Sequence, residues 1–114
     1  MIKNSIVLVP FPFDDFSTLK VRPALCLTFE IGIYEHIIIA LISSKIPDNL
    51  INSDYVIRLN TDEWIGTGLT VDSVIRLHKI VTIPKSLIKR KLGKINMRIQ
   101  SEISIRIRQL FDIE

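Results

Sequence analysis

The feature that most constrains the fold is a series of short apolar runs, each ending at residues that interrupt secondary structure. The first run, residues 5–11, ends at Pro10 and Pro12, and strands tolerate proline only at their edges and ends. The run at 33–43 is rich in β-branched residues and nearly continuous in hydrophobicity, so we predict a strand buried on both faces. The longest uninterrupted apolar stretch, 37–42, is much too short to cross a membrane.

The rest of the chain continues in short strands and then changes period. Asn96 fits the N-cap of a helix over 97–111, because apolar residues there recur every three or four positions. We expect this helix to bury Ile99, Ile103, Ile107 and Leu110 and to turn Arg98, Glu102, Arg106 and Gln109 outward. The other predicted elements are strands at 22–30, 54–59, within 69–83 and at 87–95, a turn at Ile31 and Gly32, a helical turn around Trp64, and breaks at 45–52 and 84–86. This order favours a mainly β fold, a small barrel or sandwich capped by a C-terminal helix, with residues 1–114 as one domain.

Charge is distributed unevenly along the chain. Residues 1–72 contain 5 lysines and arginines against 9 acidic residues, whereas residues 73–114 contain 10 against 3. A basic half of this kind attracts phosphate backbones or an acidic protein segment, although a solvated helix and strand would give the same count. The mean hydropathy of +0.33 is high for a monomer and indicates an interface, so we expect a homodimer.

Cofactor, metal and nucleophile patterns are absent from the sequence. His36 and His78 lie on separate strands with no cysteine pair nearby, and no glycine-rich phosphate loop occurs, so no metal or cofactor is expected. Cys26 lies inside an apolar run, which predicts a buried, inert thiol and fits a reducing cytoplasm. A triad of Ser43, His78 and Asp72 has no support in the spacing.

A polar set remains at the predicted strand ends: Arg22, Ser43, Ser44, Asp72 and Arg76. In an antiparallel hairpin the start of one strand lies beside the end of the next, so Arg22 should neighbour Ser43 and Ser44. An arginine beside hydroxyl groups forms a phosphate cradle, because guanidinium is permanently charged and can bind two oxygens at once. In RNA cleavage, Asp72 could then be the base, Arg22 the charge stabiliser and Ser43 a positioning donor. The alternative is an ordinary salt bridge between Arg22 and Asp72 at the rim.

With these residues in place, the chain resembles the MazF/PemK (Kid) toxins of type II toxin–antitoxin systems, in particular the PemK-like branch. The resemblance covers nearly the whole chain, and its two amino-terminal motifs together are fairly specific. The matching segments are 6–13 (IVLVPFPF), 20–25 (KVRPAL), 40–45 (ALISSK), 68–77 (GLTVDSVIRL) and 85–93 (KSLIKRKLG).

The resemblance implies an SH3-like small barrel with a C-terminal helix, acting as a homodimer in the cytoplasm. It implies a metal-independent endoribonuclease, without cofactors, that cuts single-stranded RNA at short sequences and leaves 2′,3′-cyclic phosphate and 5′-hydroxyl ends. It also implies an antitoxin whose acidic, disordered segment occupies the RNA groove, with DNA contacted only through that antitoxin and no membrane involved.

By the same resemblance, the catalytic residues fall on Arg22, Ser43 and Asp72. The RNA contacts fall on Phe13, Asp14, Lys20, Ser44 and Arg76, and the loop 14–21 would close over the substrate.

The sequence departs from the family pattern at three places. Asn4 and Ser5 stand where the family usually has Gly-Asp, Ser43 replaces the usual threonine, and Thr70 stands where some members have a second arginine. Arg76 or Arg22 would then have to serve as the general acid. Two other functions stay open from the sequence: a CcdB-like protein that inhibits gyrase without catalysis, and an inactive relative that only binds the antitoxin.

Overall fold

The computed structural model describes residues 2–10 and 20–113, which form one curled antiparallel sheet and one helix. The sheet has six strands in the order β4-β5-β3-β2-β1-β6 and curls into a half-barrel. The predicted mainly β class, a small barrel with a C-terminal helix, is thereby confirmed. The elements are β1 (Ser5–Pro10), β2 (Val21–Cys26), β3 (His36–Ser43), β4 (Asp54–Ile57), β5 (Ser73–Pro84), β6 (Arg90–Lys94) and α1 (Met97–Leu110), with a 3-10 turn at Lys85–Leu87.

Strand β3 lies at the centre of the sheet and is buried on both faces, as predicted. Ile37, Ile39 and Leu41 point to one face, where they pack in a cluster with residues of β1 and β2. Ala40 and Ile42 point to the other face and pack in a second cluster, which includes Ile99 and Ile103 of α1. Because successive side chains of a strand alternate between faces, a continuous apolar run suits a strand covered on both sides.

The edge strand β6 of the half-barrel makes a tight contact with the segment that connects β4 to β5. Lys94 donates its backbone N–H to the carbonyl of Gly66 at 2.9 Å. A Cβ atom at Gly93 would overlap the carbonyl oxygen of Gly66, and one at Gly68 would overlap the carbonyl oxygen of Leu92. At both contacts a backbone carbonyl occupies the position that a Cβ atom would take, so Gly93 and Gly68 allow the two backbones to approach this closely.

The helix begins as predicted, with the Asn96 side chain accepting the Ile99 N–H at 2.9 Å. Its expected outer face is only partly solvated, which corrects the prediction for Arg106. The Arg106 guanidinium donates to the carbonyls of Asn52 at 3.0 Å and Asp54 at 2.9 Å, and it lies over the ring of Tyr55. The expected inner face is also incomplete, because Leu110 remains 39% exposed. Helical periodicity does not reveal that a long cation can reach back to satisfy the carbonyls at a sheet edge.

Several predicted boundaries are corrected. Strand β2 stops at Cys26 and β3 starts at His36, because the turn between them extends from Gly32 to Glu35, both at positive φ. The helical turn predicted around Trp64 lies in a run of hydrogen-bonded turns, in which Thr67 donates its N–H to the Trp64 carbonyl at 3.1 Å. The strands expected within 69–83 are one long strand, β5, whose register against β3 shifts between Ala40 and Leu41. Such a shift bends a strand, and here it separates the part of β5 that pairs with both β3 and β4 from the part that pairs with β3 alone.

Cys26 is completely buried in the β1–β2–β3 cluster, as predicted. Burial raises the pKa of its thiol to about 11, so the thiol stays protonated at neutral pH and is a poor nucleophile.

Over the described ranges, none of the helical structure has the length and apolarity needed to span a bilayer.

A candidate phosphate-binding cleft at the end of the barrel

The candidate site lies at one end of the half-barrel, where five strands meet. Because neighbouring strands are antiparallel, β1 and β3 end at the same rim where β2, β5 and β6 begin. The rim encloses a cleft of about 430 Å³, and the mouths of barrels are common positions for ligand sites. Its described lining residues are Leu8, Arg22, Pro23, Leu41, Ile42, Ser43, Ser44, Lys45, Gly68, Leu69, Thr70, Val71, Ser73, Arg90 and Leu92.

Among the described residues, the lining combines an apolar floor with a polar rim whose charged side chains are all cationic. Three cationic side chains, Arg22, Lys45 and Arg90, line the cleft, and no aspartate or glutamate occurs among its described lining residues. The hydroxyl groups come from Ser43, Ser44, Thr70 and Ser73. Cations and hydroxyl donors gathered in a concave site without acidic groups favour an anionic ligand.

Arg22 and Ser43 occupy facing positions on neighbouring strands. The β2–β3 pairing aligns Ala24 with Leu41 and Leu25 with Ala40, and continuing this register by two residues sets Arg22 opposite Ser43. Directly opposed residues of antiparallel strands project to the same face. The structure therefore brings together Arg22, Ser43 and Ser44 on one cleft, as the hairpin geometry predicts.

The Ser43 hydroxyl is oriented by the backbone of the following loop. Its oxygen accepts the N–H of Lys45 at 3.0 Å, which uses a lone pair and leaves the hydroxyl proton available for donation. The neighbouring Ser73 hydroxyl already uses its proton, because it donates to the carbonyl of Val71 at 2.9 Å. Of these two hydroxyl groups, Ser43 is thus the one suited to donate a hydrogen bond to a ligand oxygen.

Asp72 precedes β5 and is held by groups outside the cleft. Its carboxylate accepts the N–H of Leu59 at 2.8 Å and forms an ion pair with Arg58 at 3.3 Å. These contacts, the Leu59 N–H above all, hold the pKa of Asp72 below its usual value. Asp72 does not line the cleft, and its salt bridge is with Arg58, whereas the sequence-based alternative paired it with Arg22.

Arg76 lies on the same sheet face as Ser43 but deeper along β5. Ser43 pairs with Val74, and Arg76 is two residues further on, where it forms an ion pair of 2.9 Å with the fully buried carboxylate of Asp54. Asp54 also accepts the N–H of Ile51 at 3.2 Å. Arg76 does not line the cleft, and its guanidinium compensates a buried charge.

The other predicted residues are distributed as follows. Lys20 is exposed just before β2, and Ser44 lines the cleft. Phe13 and Asp14 lie outside the described residues, as do all but the last two residues of the loop 14–21. The three members of the unsupported triad have separate partners, since His78 bonds through Nδ1 to the Ser53 hydroxyl at 2.7 Å.

Sequence reasoning missed Lys45 and Arg90 as cleft residues. Arg90 belongs to the basic segment 89–91, in which every residue is cationic, so the composition gave no reason to choose it. The signal that could have found it is the pairing of β6 with β1, which aligns Arg90 with Leu8 at the same rim. Long-range pairing of this kind is not visible in local periodicity.

The curled antiparallel half-barrel and the C-terminal helix place the chain in the class of small β-barrel proteins, here with a cationic cleft at one end. A family model described as "PemK-like, MazF-like toxin of type II toxin-antitoxin system" matches residues 3–111. The chain therefore belongs to the PemK-like, MazF-like toxins, and the resemblance noted from its motifs is confirmed.

Solved structures of similar fold include several mycobacterial toxins. The Mycobacterium tuberculosis toxin MazF-mt6 is 19% identical with a TM-score of 0.73, and the alignment covers 96% of this chain and 98% of that one. An endoribonuclease from Mycobacterial species, solved in complex with its cognate antitoxin, is 9% identical with a TM-score of 0.71. The alignment covers 100% of this chain and 97% of that one. A further Mtb toxin is 17% identical with a TM-score of 0.64 and coverage of 90% and 97%. No curated protein sequence shows significant similarity to the chain.

Proposed function

We propose that this protein is the toxin of a type II toxin–antitoxin pair and cleaves single-stranded RNA without a metal ion. The observation that carries the proposal is the pair formed by Arg22 and Ser43 at the rim of a cleft lined by cations and hydroxyl groups. Membership of the PemK-like, MazF-like family supports the same function, and one solved structure of similar fold is an endoribonuclease.

The chemistry requires charge stabilisation at the scissile phosphate. The 2′-hydroxyl oxygen of one nucleotide bonds to the adjacent phosphorus, and the bond from phosphorus to the 5′-oxygen of the next nucleotide breaks. The products are a 2′,3′-cyclic phosphate and a 5′-hydroxyl, and the proton lost by the 2′-hydroxyl is balanced by one gained at the leaving oxygen. Arg22 stabilises the negative charge that accumulates on the phosphoryl oxygens, and Ser43 donates a hydrogen bond to one of them.

The same cleft is proposed to take the acidic segment of the antitoxin. Carboxylates and phosphates compete for the same guanidinium and hydroxyl donors, so an acidic peptide in the cleft would block RNA. The structurally similar endoribonuclease was solved with its cognate antitoxin, which supports an antitoxin as the partner of this chain. We also propose a homodimer, because strongly exposed apolar side chains, such as Ile33 at 89% and Tyr34 at 72%, suit an interface.

The test is incubation of a long single-stranded RNA with the purified protein in excess EDTA, followed by analysis of the fragment ends. Discrete fragments with 2′,3′-cyclic phosphate and 5′-hydroxyl ends are expected. A folded protein that leaves the RNA intact would contradict the proposal. A gyrase-trapping assay in parallel would then separate a gyrase inhibitor from an inactive antitoxin-binding relative.

The predicted role of Asp72 as general base has its own test. The carboxylate of Asp72 is bound by Leu59 and Arg58 and its pKa is lowered, so Asp72 is a weak base. We propose instead that it stabilises the connection between β4 and β5 through these two contacts. We expect Asp72→Asn to change the cleavage rate by no more than about threefold, since the amide oxygen still accepts the Leu59 N–H. A loss of 10²-fold or more, the effect of removing a general base, would assign the base to Asp72 after all.

A further inference from the structure

Arg90 is, with Lys45, one of two cationic residues of the cleft to whose side chains no role has been given. It begins β6, lines the cleft and is exposed to solvent. Over residues 2–10 and 20–113, neither a hydrogen bond nor an ion pair holds its guanidinium group.

Three of the other basic residues of the C-terminal half are held by ion pairs. Arg76 neutralises buried Asp54, Lys85 pairs with Glu30, and Arg106 pairs with Glu102 while it binds carbonyls at the edge of the sheet. Within the described part of the chain Arg90 has no such partner, although it lies in a concave, partly apolar site that two other cationic residues also line. A cationic side chain at such a position is suited to bind an anionic ligand.

The position of Arg90 differs from that of Arg22 in the cleft. Strand β1 lies between β2 and β6, with Val9 paired to Arg22 and the preceding Leu8 paired to Arg90. Two strand spacings separate the backbones of the two arginines by roughly 10 Å, and their partners on β1 are successive residues, so Arg22 and Arg90 reach the cleft from opposite faces of the sheet. The hydroxyl group of Ser43 lies on the Arg22 side, since Ser43 faces Arg22 across β2 and β3.

We infer that Arg90 binds a second phosphate of the RNA, next to the scissile phosphate that Arg22 and Ser43 hold. The inference rests on the proposed function and assigns a substrate-binding residue to that site. The substrate recognised is a strand with at least two consecutive phosphates. Arginine suits this task because its planar fork binds two phosphoryl oxygens and its charge persists at every physiological pH.

The test compares oligonucleotides that differ by one nucleotide and therefore by one phosphate. Non-cleavable 2′-deoxy analogues, a dinucleotide with one phosphate and a trinucleotide with two, are titrated against the wild type, Arg90→Gln and the matched control Arg98→Gln. Arg98 is exposed on α1 and does not line the cleft. For the wild type, the trinucleotide should bind about tenfold more tightly than the dinucleotide, as expected for one added charge-assisted contact.

We expect Arg90→Gln to lose the advantage of the trinucleotide and to leave the affinity for the dinucleotide unchanged. With a longer strand, its salt dependence should be shallower by about 0.7 in the slope of log K against log salt, the value for one phosphate contact on a single strand. Arg98→Gln should match the wild type in all three measurements.

The inference is overturned if Arg90→Gln behaves like Arg98→Gln, or if it weakens the dinucleotide as much as the trinucleotide, which would place both arginines on one phosphate. Failure of the proposed function gives a different result. In that case the wild type itself leaves RNA intact in EDTA, whatever the oligonucleotide affinities are.

Discussion

Replacement of Arg22 with alanine is expected to lower the rate of RNA cleavage by about 10²–10³-fold, the cost of removing one preorganised donor to a developing oxyanion. Arg22 lines the cleft at its rim and lies opposite Ser43 of the neighbouring strand. The alanine variant therefore leaves the negative charge on the phosphoryl oxygens without a guanidinium partner. The measurement is the single-turnover cleavage rate of a fluorescent single-stranded RNA in EDTA.

Three further variants separate catalysis from folding in this experiment. Arg22→Lys keeps the charge but loses the bidentate fork, and we expect a rate between those of the wild type and Arg22→Ala. The cleavage rate of Ser43→Ala should be about tenfold lower than that of the wild type, the cost of one hydrogen-bond donor. Arg108 is exposed on α1, and the rate of Arg108→Ala should match the wild type. If Arg22→Ala stays folded by thermal melting and cuts RNA at the full rate, the assignment of the site to this rim is wrong.

The parts of the site that could be predicted from sequence depend on local geometry. A strand that starts at Arg22 and one that ends at Ser43 must bring these residues together once the two strands form a hairpin, and the structure has that hairpin. The amphipathic helix and its Asn96 cap follow from spacing alone in the same way. Such inferences need only the period of the element and the direction of its neighbour.

The parts that could not be predicted depend on contacts between segments distant in sequence. Arg90 reaches the cleft because β6 pairs with β1 across more than 80 residues, and Arg76 is drawn to Asp54 by the pairing of β4 with β5. The sequence places Asp72 among the polar strand ends, but only the β4–β5 hairpin shows that Arg58 and Leu59 bind its carboxylate. Residue type indicates a charge, whereas its partner is set by the tertiary fold.

The substitution with the largest expected effect on stability is Gly93→Ala, at the contact between β6 and residues 66–68. A Cβ atom at this position would overlap the Gly66 carbonyl oxygen and lie 2.7 Å from the carbonyl carbon and oxygen of Thr67. Because the obstacles are backbone atoms, β6 and the segment 66–69 would have to separate. We expect a loss of about 3 kcal/mol in the free energy of unfolding, at the upper end of the cost of overpacking. Thermal and urea unfolding measure it, and a fall of roughly 10–20 °C in Tm is expected.

Gly32→Ala is the matched control for this substitution, because it adds the same methyl group where no atom lies within 4 Å. Gly32 has a φ of +72°, so its replacement carries only the left-handed backbone cost of about 1–2 kcal/mol. Gly93→Ala should therefore be the more destabilising of the two even though its φ is not positive. Equal melting temperatures would show that the contact between β6 and Gly66 is loose. Segment 68–71 and Arg90 both line the cleft, so Gly93→Ala should also weaken RNA binding below its melting temperature, whereas Gly32→Ala should leave it intact.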